Sequence, residues 1–351
     1  MWRVNNRARV FAAVVAVCAI GLGAYLYRIN GRTSATRTAA SHPPLPRGTL
    51  SGPLTAPQIL FRYVGVDDDY GKLAAVAAAD PRSPRILEGL SCDVAHFAAG
   101  RGICLSADRG VLTTYAATIF DARQQPLSTT ALRGEPSRCR MSPDGRLAAF
   151  TVFVSGHSYS SLDFSTETMI LDAESGKTIA NVESFAVTRN GAPFSAKDFN
   201  FWGVSFTPDS KHFYCTLATN KVQYLVAGDI ASRTATVIHE NVECPSVSPD
   251  GSRIAYKKRL MVDRRVVWQL HVLDLADQRE TPLRETRSVD DQLEWLDADH
   301  VLYAVSDNPT GSSASTAVWV TDASGTTPPQ ILIPKAYSPA VVRSSASPRR
   351  D

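Results

Sequence analysis

Short apolar runs alternate with clusters of turn-forming residues along most of this chain. The pattern is clearest in Ser248–Tyr256, where a Ser-Pro-Asp-Gly sequence precedes an apolar run. Pro249 presets the φ angle of a tight turn, Asp250 can accept a hydrogen bond from the backbone ahead of it, and Gly251 tolerates a positive φ. The segment therefore predicts the end of one strand, a turn and the start of the next strand.

The same turn recurs in the chain. A second intact copy lies in Ser142–Phe150, and a partial copy lies in Thr207–Tyr214. Repeated local patterns of this kind determine the architecture of a fold. We predict that the turn geometry depends on the following residues of the three copies: Pro143, Asp144, Gly145, Pro208, Asp209, Pro249, Asp250 and Gly251.

A second recurring feature is an apolar run that ends in Asp. The six cases are Asp80, Asp121, Asp172, Asp229, Asp274 and Asp322, and their spacing ranges from 41 to 57 residues. That spacing is close to the roughly 40–50 residues of a four-stranded propeller blade. We therefore predict six blades, and we interpret the six aspartates as turn caps rather than catalytic acids.

Together, the Ser-Pro-Asp-Gly turn and the apolar strand that ends in Asp resemble the WD40-like repeat of TolB-type β-propellers. The resemblance implies an all-β fold, a six-bladed propeller of four-stranded antiparallel blades in residues 58–343. It says little about function, because propellers serve as scaffolds, lids and enzymes. The first blade lacks an inner strand, and Tyr337–Val342 is similar to Glu243–Val247 of the fifth blade. We predict that this C-terminal strand completes blade 1 and closes the ring.

An uncharged stretch of 18 residues, Val10–Tyr27, precedes the repeats. Its length predicts a transmembrane helix or signal anchor, since the apolar core of a cleaved signal peptide is usually about 7–15 residues long. A cleaved signal, which would give a secreted protein, is the alternative. We predict a short basic tail in residues 1–9, a linker rich in Pro, Ser, Thr and Gly in 28–57, and a disordered tail in 344–351. An extracytoplasmic propeller is expected because exported TolB-like domains are common.

The charge is unevenly distributed along the chain. Residues 1–66 carry eight Arg and no acidic residue, residues 343–351 carry +2, and the whole chain carries +3, which leaves −7 on residues 67–342. A nucleic-acid partner would require a basic surface. We therefore expect no nucleic-acid binding by the propeller, which we predict to be monomeric.

Blade connectivity divides the loops between two faces. With strands a to d counted from the channel outward, the a–b and c–d turns form one face, here named the turn face, and the b–c and d–a connections form the other, the loop face. The long insertions, in residues 155–165, 188–197, 258–265 and 306–316, all belong to the loop face. Insertions on one face often mark a binding surface, although neutral drift of loops is the alternative. The binding-face candidates are Asp67, Asp68, Asp69, His157, Tyr159, Lys258, Arg264, Arg265, Asp307 and Asn308.

Motifs for catalysis or metal binding are incomplete in this sequence. Gly156–Ser160 approaches a nucleophile elbow, but that motif needs a final Gly and a following helix. Asp67, Asp68 and Asp69 lack the alternating spacing of a calcium loop, and the histidines show no zinc-ligand spacing. We predict no catalytic residues, no metal and no cofactor.

The repeat places the cysteines in pairs of equivalent positions. Cys104 and Cys215 occupy one strand position, while Cys139 and Cys244 begin the inner strand of the following blade. The expected disulfides are Cys104–Cys139 and Cys215–Cys244, with Cys92 unpaired, which would suit an oxidising compartment. Free buried cysteines that act as small apolar residues are the alternative.

These observations predict a membrane-tethered, extracytoplasmic propeller that binds another protein or a component of the cell envelope. One alternative is an enzyme that acts on a glycan or similar substrate at the loop face. Another is a sensor or regulatory partner of a membrane protein. An enzyme would require convergent acids, histidines or metal ligands at the channel mouth, whereas a scaffold would require an exposed apolar patch rimmed by polar groups.

Overall fold

The computed structural model describes residues 13–23, 47–48, 54, 57–156, 159, 164–307 and 315–343. The chain divides into two compact units, residues 1–44 and residues 45–351. In the first unit, residues 13–23 form helix α1. No helix within the described residues combines the length and the apolar character that crossing a membrane requires. Both ends of the predicted span Val10–Tyr27 lie outside the described residues.

The second unit is an all-β propeller of six blades, each built on four antiparallel strands. Blade 1 contains β1 (Arg47–Gly48), β2 (Gln58–Tyr63), β3 (Lys72–Ala77), β4 (Arg85–Ser91) and, from the far end of the chain, β27 (Ala336–Val342). Blade 2 contains β5 (Val94–Ala98), β6 (Arg101–Arg109), β7 (Thr113–Asp121) and β8 (Pro126–Leu132). Blade 3 contains β9 (Glu135–Met141), β10 (Leu147–Ser155), β11 (Ser165–Asp172) and β12 (Thr178–Asn181), followed by a 3-10 turn, Val182–Ser184.

The remaining strands form blades 4 to 6. Blade 4 contains β13 (Ala186–Arg189), β14 (Ala192–Phe194), β15 (Asn200–Phe206), β16 (His212–Thr219), β17 (Val222–Asp229) and β18 (Thr234–Glu240). Blade 5 contains β19 (Glu243–Val247), β20 (Arg253–Val262), β21 (Arg265–Asp274) and β22 (Glu280–Pro282). Blade 6 contains β23 (Glu294–Trp295), β24 (His300–Ser306), β25 (Thr316–Asp322) and β26 (Gln330–Pro334).

The C-terminal strand closes the ring, as the sequence predicts. β27 pairs antiparallel with β2 and becomes the inner strand of blade 1, so the sheet order is β1-β4-β3-β2-β27. The six inner strands contact one another in an unbroken circle, β27-β5-β9-β15-β19-β23 and back to β27. Closure removes an exposed edge at β2 that would otherwise present unpaired backbone groups.

The Ser-Pro-Asp-Gly turns have the predicted geometry. The Asp250 carboxylate accepts hydrogen bonds from the Ser248 hydroxyl and from the N–H of Ser252, while Gly251 has a φ of 78°. The hydrogen bond from Ser248, together with those from Ser252, lowers the pKa of Asp250 to about 2 despite partial burial. The copy at residues 142–147 repeats these bonds, and in the partial copy Ser210 takes the positive φ position.

The six recurrent aspartates cap turns, which confirms their structural interpretation. In each case a carboxylate oxygen accepts a hydrogen bond from a backbone N–H two to five residues further along the chain. These bonds fix the polypeptide where it leaves strand c, because a carboxylate close to its own backbone competes well with water for the local donors.

Two of the predicted long loops are strands instead. Within the insertion 188–197, β13 and β14 form a hairpin, and β13 adds in parallel to β18 at the outer edge of blade 4. Within the insertion 258–265, β20 and β21 simply continue into a long hairpin. Its two-residue turn, Asp263-Arg264, has positive φ at both positions, which matches the twist of the flanking strands.

Part of the predicted linker 28–57 joins blade 1. β1 pairs in parallel with β4, and the backbone N–H of Leu54 donates to the carbonyl of Ala122 at 2.7 Å. The Leu54 side chain is buried among apolar residues of blades 1 and 2. The backbone that carries these residues therefore belongs to the propeller unit.

The predicted disulfide pairs are wrong. Cys104 is bonded to Cys92, and Cys139, Cys215 and Cys244 are free thiols. Cys92 lies just before β5, next to its neighbour β6 in the same blade, which brings the two Cα atoms to 5.4 Å. Repeat equivalence identified positions in adjacent blades, but the hairpin partner within one blade is nearer. Cys215 and Cys244 are buried, as expected for thiols that pack as small apolar groups.

Candidate functional site: the two mouths of the channel

The inner strand of each blade begins at the loop face and ends at the turn face. Side chains at alternate positions of these strands face the channel, because successive residues of a strand point to opposite sides. Two cavities result, one at each mouth, and each has a volume of about 300 Å³. The residues near the start of the inner strands line the first cavity, and those near the end line the second.

The loop-face mouth is polar, and two of its aspartates take part in ion pairs. One oxygen of Asp93 lies 3.5 Å from the Arg62 guanidinium and 3.2 Å from that of Arg109. Asp290 likewise uses one oxygen to accept from Arg138 at 2.8 Å and from the Lys257 ammonium at 2.6 Å. Each of these aspartates is therefore shared by two cations.

Buried charged and aromatic side chains lie next to the loop-face mouth. The Lys257 side chain is fully buried, with its Nζ 4.6 Å from the centre of the Trp268 ring. Burial lowers the pKa of Lys257, but the neighbouring carboxylates, Asp290 foremost, raise it above its usual value. Burial raises the pKa of Glu243 and raises that of Asp291 to about 6. This combination keeps the Lys257 ammonium charged, and it makes the two deeper carboxyl groups easier to protonate than exposed ones.

The turn-face mouth has an ionic cluster centred on Glu294. The Glu294 carboxylate accepts from the Arg140 guanidinium and from that of Arg343 at 3.1 Å, and the His96 Nε2 lies 3.6 Å away. Burial raises the pKa of Glu294, but Arg140 and the other two neighbours outweigh that effect and hold it well below its usual range. Glu294 is therefore an ionised carboxylate in a fully enclosed position.

His96 is neutral in this cluster. Its Nδ1 accepts a hydrogen bond from the backbone N–H of Met141 at 3.1 Å, so the ring proton resides on Nε2, facing Glu294. Burial and then the charge of Arg140 lower the pKa of His96 below its usual value. Two guanidinium groups and one carboxylate leave the cluster with a net charge of +1.

Exposed apolar side chains are concentrated on the loop face. Among the described residues of the propeller, every strongly exposed large apolar side chain except Leu127 lies in a b–c connection or at the adjoining end of strand b. These side chains belong to blades 1, 2, 3 and 5: Val66, Tyr70, Val111, Leu112, Val154, Met261 and Val262. Contiguous or clustered exposed apolar groups mark interaction surfaces more reliably than single ones do.

The predicted binding-face residues lie in different environments. Asp68, Arg264 and Arg265 are exposed at the loop face. Asp67 accepts from the Tyr63 hydroxyl at 2.6 Å, and Asp69 pairs with Lys72 at 2.8 Å, so both aspartates stabilise their own turn. His157 and Asn308 lie outside the described residues.

Three further candidates lie in or beside the blades. Tyr159 is not exposed as expected of a binding-face residue: its ring is buried and stacks on Trp202 at 4.9 Å, although it lines the loop-face cavity. Lys258 lies within β20 and pairs with Glu280, so it belongs to a strand rather than to an open loop. Asp307 is half-buried, and its backbone N–H donates to the carbonyl of Ser315.

The titratable residues of the channel were not predicted from the sequence. They are His96, Arg138, Arg140, Glu243, Lys257, Asp290, Asp291, Glu294 and Arg343. A signal exists in the sequence: Arg138 and Arg140 alternate with Cys139 and Met141 in β9, which indicates a strand with one polar face. In a propeller, the polar face of an inner strand can only point to the channel or to a neighbouring blade.

Among the residues that the structure describes, no group of three or more His, Cys, Asp or Glu side chains is arranged to hold a metal ion. Asp93, Asp290 and Glu294 form salt bridges with cationic side chains.

No protein-family model and no curated protein matches this chain. Solved structures do match: TolB from Acinetobacter baumannii has a TM-score of 0.57 at 15% identity, over 82% of this chain and 67% of that one. A chain in the crystal structure of a nidogen/laminin complex has a TM-score of 0.52 at 10% identity, over 81% of this chain and 97% of that one. At these identities the likeness concerns the fold alone. This chain is a six-bladed β-propeller, and its fold is similar to that of TolB.

Proposed function

We propose that this propeller is a binding scaffold for another protein and that it captures its partner on the loop face. The observation that carries the proposal is the concentration of exposed aliphatic side chains at the tips of the b–c connections. Exposure of such side chains to water is unfavourable and is relieved when a partner covers them. Aliphatic tips suit a protein surface better than the hydroxyl-rich surface of an envelope polysaccharide.

The shape of the loop face supports this proposal. β19 pairs with β20 only as far as Lys257, whereas β20 and β21 continue as a two-stranded ribbon to Val262 and Arg265. Met261 and Val262 are exposed near its tip, next to the exposed Arg264. The ribbon therefore presents apolar groups beside positive charge, a combination in which apolar contacts supply affinity and charges orient the partner.

Replacing four apolar tip residues should weaken partner capture by tenfold or more. The variant V111S/L112S/M261S/V262S removes aliphatic groups whose burial would each contribute about 1.5–3 kcal/mol at most. Photo-crosslinking from the loop face in cells would first identify the partner by mass spectrometry. The affinity of the purified partner for the full chain and for the variant would then be measured by calorimetry.

Leu127→Ser is the matched control, because Leu127 is also exposed but lies on the outer strand β8. It should leave the affinity unchanged, and both variants should retain the thermal melt of the parent chain. Equal affinity of the fourfold variant and the parent would place the docking surface elsewhere.

We also propose that the propeller is extracytoplasmic and tethered through residues 10–27. The uncharged stretch Val10–Tyr27 and the Cys92–Cys104 disulfide support this location, since structural disulfides persist in oxidising compartments. A secreted form, released after signal cleavage, is the alternative arrangement.

The full chain should remain with the membrane fraction after a high-salt wash, and a chain that lacks residues 1–44 should be released. Non-reducing peptide mapping of thiol-blocked cells should recover Cys92 and Cys104 in one linked peptide. Free thiols at both positions would contradict an oxidising compartment, and identical fractionation of the two chains would contradict the tether.

A further inference from the structure

The cavity of the turn face is separate from the proposed docking surface. It lies at the opposite end of the channel and has a volume of about 300 Å³, at the lower end of the range for small-molecule sites. The a–b turns contribute Pro143, Pro208 and Pro249 to its lining. Its walls are mainly apolar: Phe97, Met141, Phe206, Val247, Trp295 and Val341.

Within the described part of the chain, four titratable side chains lie in the wall of this cavity. Among the described residues that line it, the titratable side chains are His96, Arg140, Glu294 and Arg343. Since Glu294 is ionised and His96 is neutral, the two guanidinium groups leave a net charge of +1 at the wall. A mainly apolar cavity whose lining side chains carry one surplus positive charge is suited to a ligand with one negative charge.

The two guanidinium groups differ in their access to the cavity. Arg140 is buried and already donates to Glu294 and to the carbonyl of Leu293 at 2.8 Å. The Arg343 side chain is 41% exposed and donates to Glu294 and to the carbonyl of Trp295. A guanidinium has five N–H groups, so Arg343 retains donors that can form a bidentate pair with a further carboxylate. Arg140 and Glu294 then act as positioning residues that hold Arg343 at the rim.

We propose that the turn-face cavity binds a monocarboxylate with an apolar or aromatic body. The carboxylate pairs with Arg343, and the body packs against Val247 and the exposed rings of Pro143, Pro208 and Pro249. A phosphate group, which carries up to two charges and is strongly hydrated, fits these apolar walls and their single surplus charge less well. The carboxylate could belong to a free acid or to an acidic side chain next to an aromatic residue in a peptide.

Such a ligand would link the two ends of the ring. Arg343 directly follows β27, the closing strand of blade 1, whereas Glu294 and Trp295 form β23 of blade 6. A ligand held by Arg343 against the neighbouring blades binds only the closed ring, so it raises the melting temperature by an amount that grows with the logarithm of its concentration relative to its Kd. Thermal melting therefore reports binding without any assumption about biological activity.

The test compares three compounds on the full chain by thermal melting and calorimetry. The free acid is 3-phenylpropionate, the neutral match is 3-phenylpropionamide, and acetate is the carboxylate without an apolar body. We expect 3-phenylpropionate to raise the melting temperature and to bind at least tenfold more tightly than either control. A blocked Phe-Glu dipeptide amide distinguishes the sources: tighter binding of the dipeptide indicates a peptide ligand, and tighter binding of the free acid indicates a small molecule.

Substitutions test whether 3-phenylpropionate binds at the turn face. Arg343→Gln should weaken the binding of 3-phenylpropionate roughly tenfold or more. Arg343→Lys should retain most of the preference for the acid over the amide. Val247→Glu, which adds a negative charge to the cavity wall, should also abolish binding and does not depend on Arg343. Arg109→Gln, at the loop face, is the matched control and should change nothing.

The inference is wrong if neither the free acid nor the dipeptide shifts the melting temperature. It is also wrong if the acid binds no more tightly than the amide or than acetate. Unchanged binding of the acid by both Arg343→Gln and Val247→Glu would likewise contradict it. If Arg343→Gln loses its cooperative melt, Val247→Glu alone decides the question.

Discussion

Deletion of residues 336–351 should abolish cooperative unfolding of the propeller. The deletion removes β27, whose buried residues Ala340, Val341 and Val342 pack between blades, and it leaves β2 with an unpaired edge. The two valines alone account for about 3–6 kcal/mol of apolar burial, a large share of the roughly 5–15 kcal/mol that stabilises a typical domain. Differential scanning calorimetry should show a broad, low-enthalpy transition in place of a single sharp one.

The control for this deletion is the chain truncated after Arg343. It retains β27 and should melt as the full chain does. If the chain without residues 336–351 melts as sharply and at the same temperature as this control, β27 does not close the ring in solution.

Glu294→Ala should lower the free energy of unfolding by about 3–5 kcal/mol, the range observed when one partner of a buried ion pair is removed. The substitution leaves the buried Arg140 guanidinium without its carboxylate, and it also removes the ion pair between Glu294 and Arg343. Chemical denaturation at neutral pH would measure the loss. The matched control is Glu240→Gln, which breaks the exposed pair with Arg189 and should cost less than about 1 kcal/mol.

The contribution of Glu294 also has a defined pH dependence. Since folding depresses the pKa of Glu294, the stabilisation is complete above its unfolded pKa of about 4.3 and declines as the pH falls towards the folded value. The stability difference between the parent chain and Glu294→Ala should therefore be constant from pH 7 to pH 5 and shrink below pH 4. A difference that grows on acidification would mean that Glu294 is not an ionised partner of Arg140 in the folded protein.

The exposure of some candidate residues can be predicted from the sequence, and that of others cannot. The loop-face candidates Arg264 and Arg265 are exposed as expected, because a polar segment between two apolar runs must reach the surface. Tyr159 failed the same reasoning: it lies in a polar loop, yet its ring completes an aromatic cluster with Phe153 and Trp202. A single aromatic residue in a loop carries no periodicity, so its burial depends on what the neighbouring blades place beside it.

The sequence by itself determined the repeat, the number of blades, the turn geometry and the closing strand. Each of these follows from local chemistry that recurs along the chain, such as the Pro, Asp and Gly of the turns, or from similarity between two segments. Tertiary structure alone decided which cysteines meet and which charges gather in the channel. Cys92 meets Cys104 within one blade, and Glu294 meets Arg140 from the opposite part of the ring, 154 residues away. Such contacts depend on how neighbouring strands and blades are aligned, and that alignment is set only when the whole ring packs.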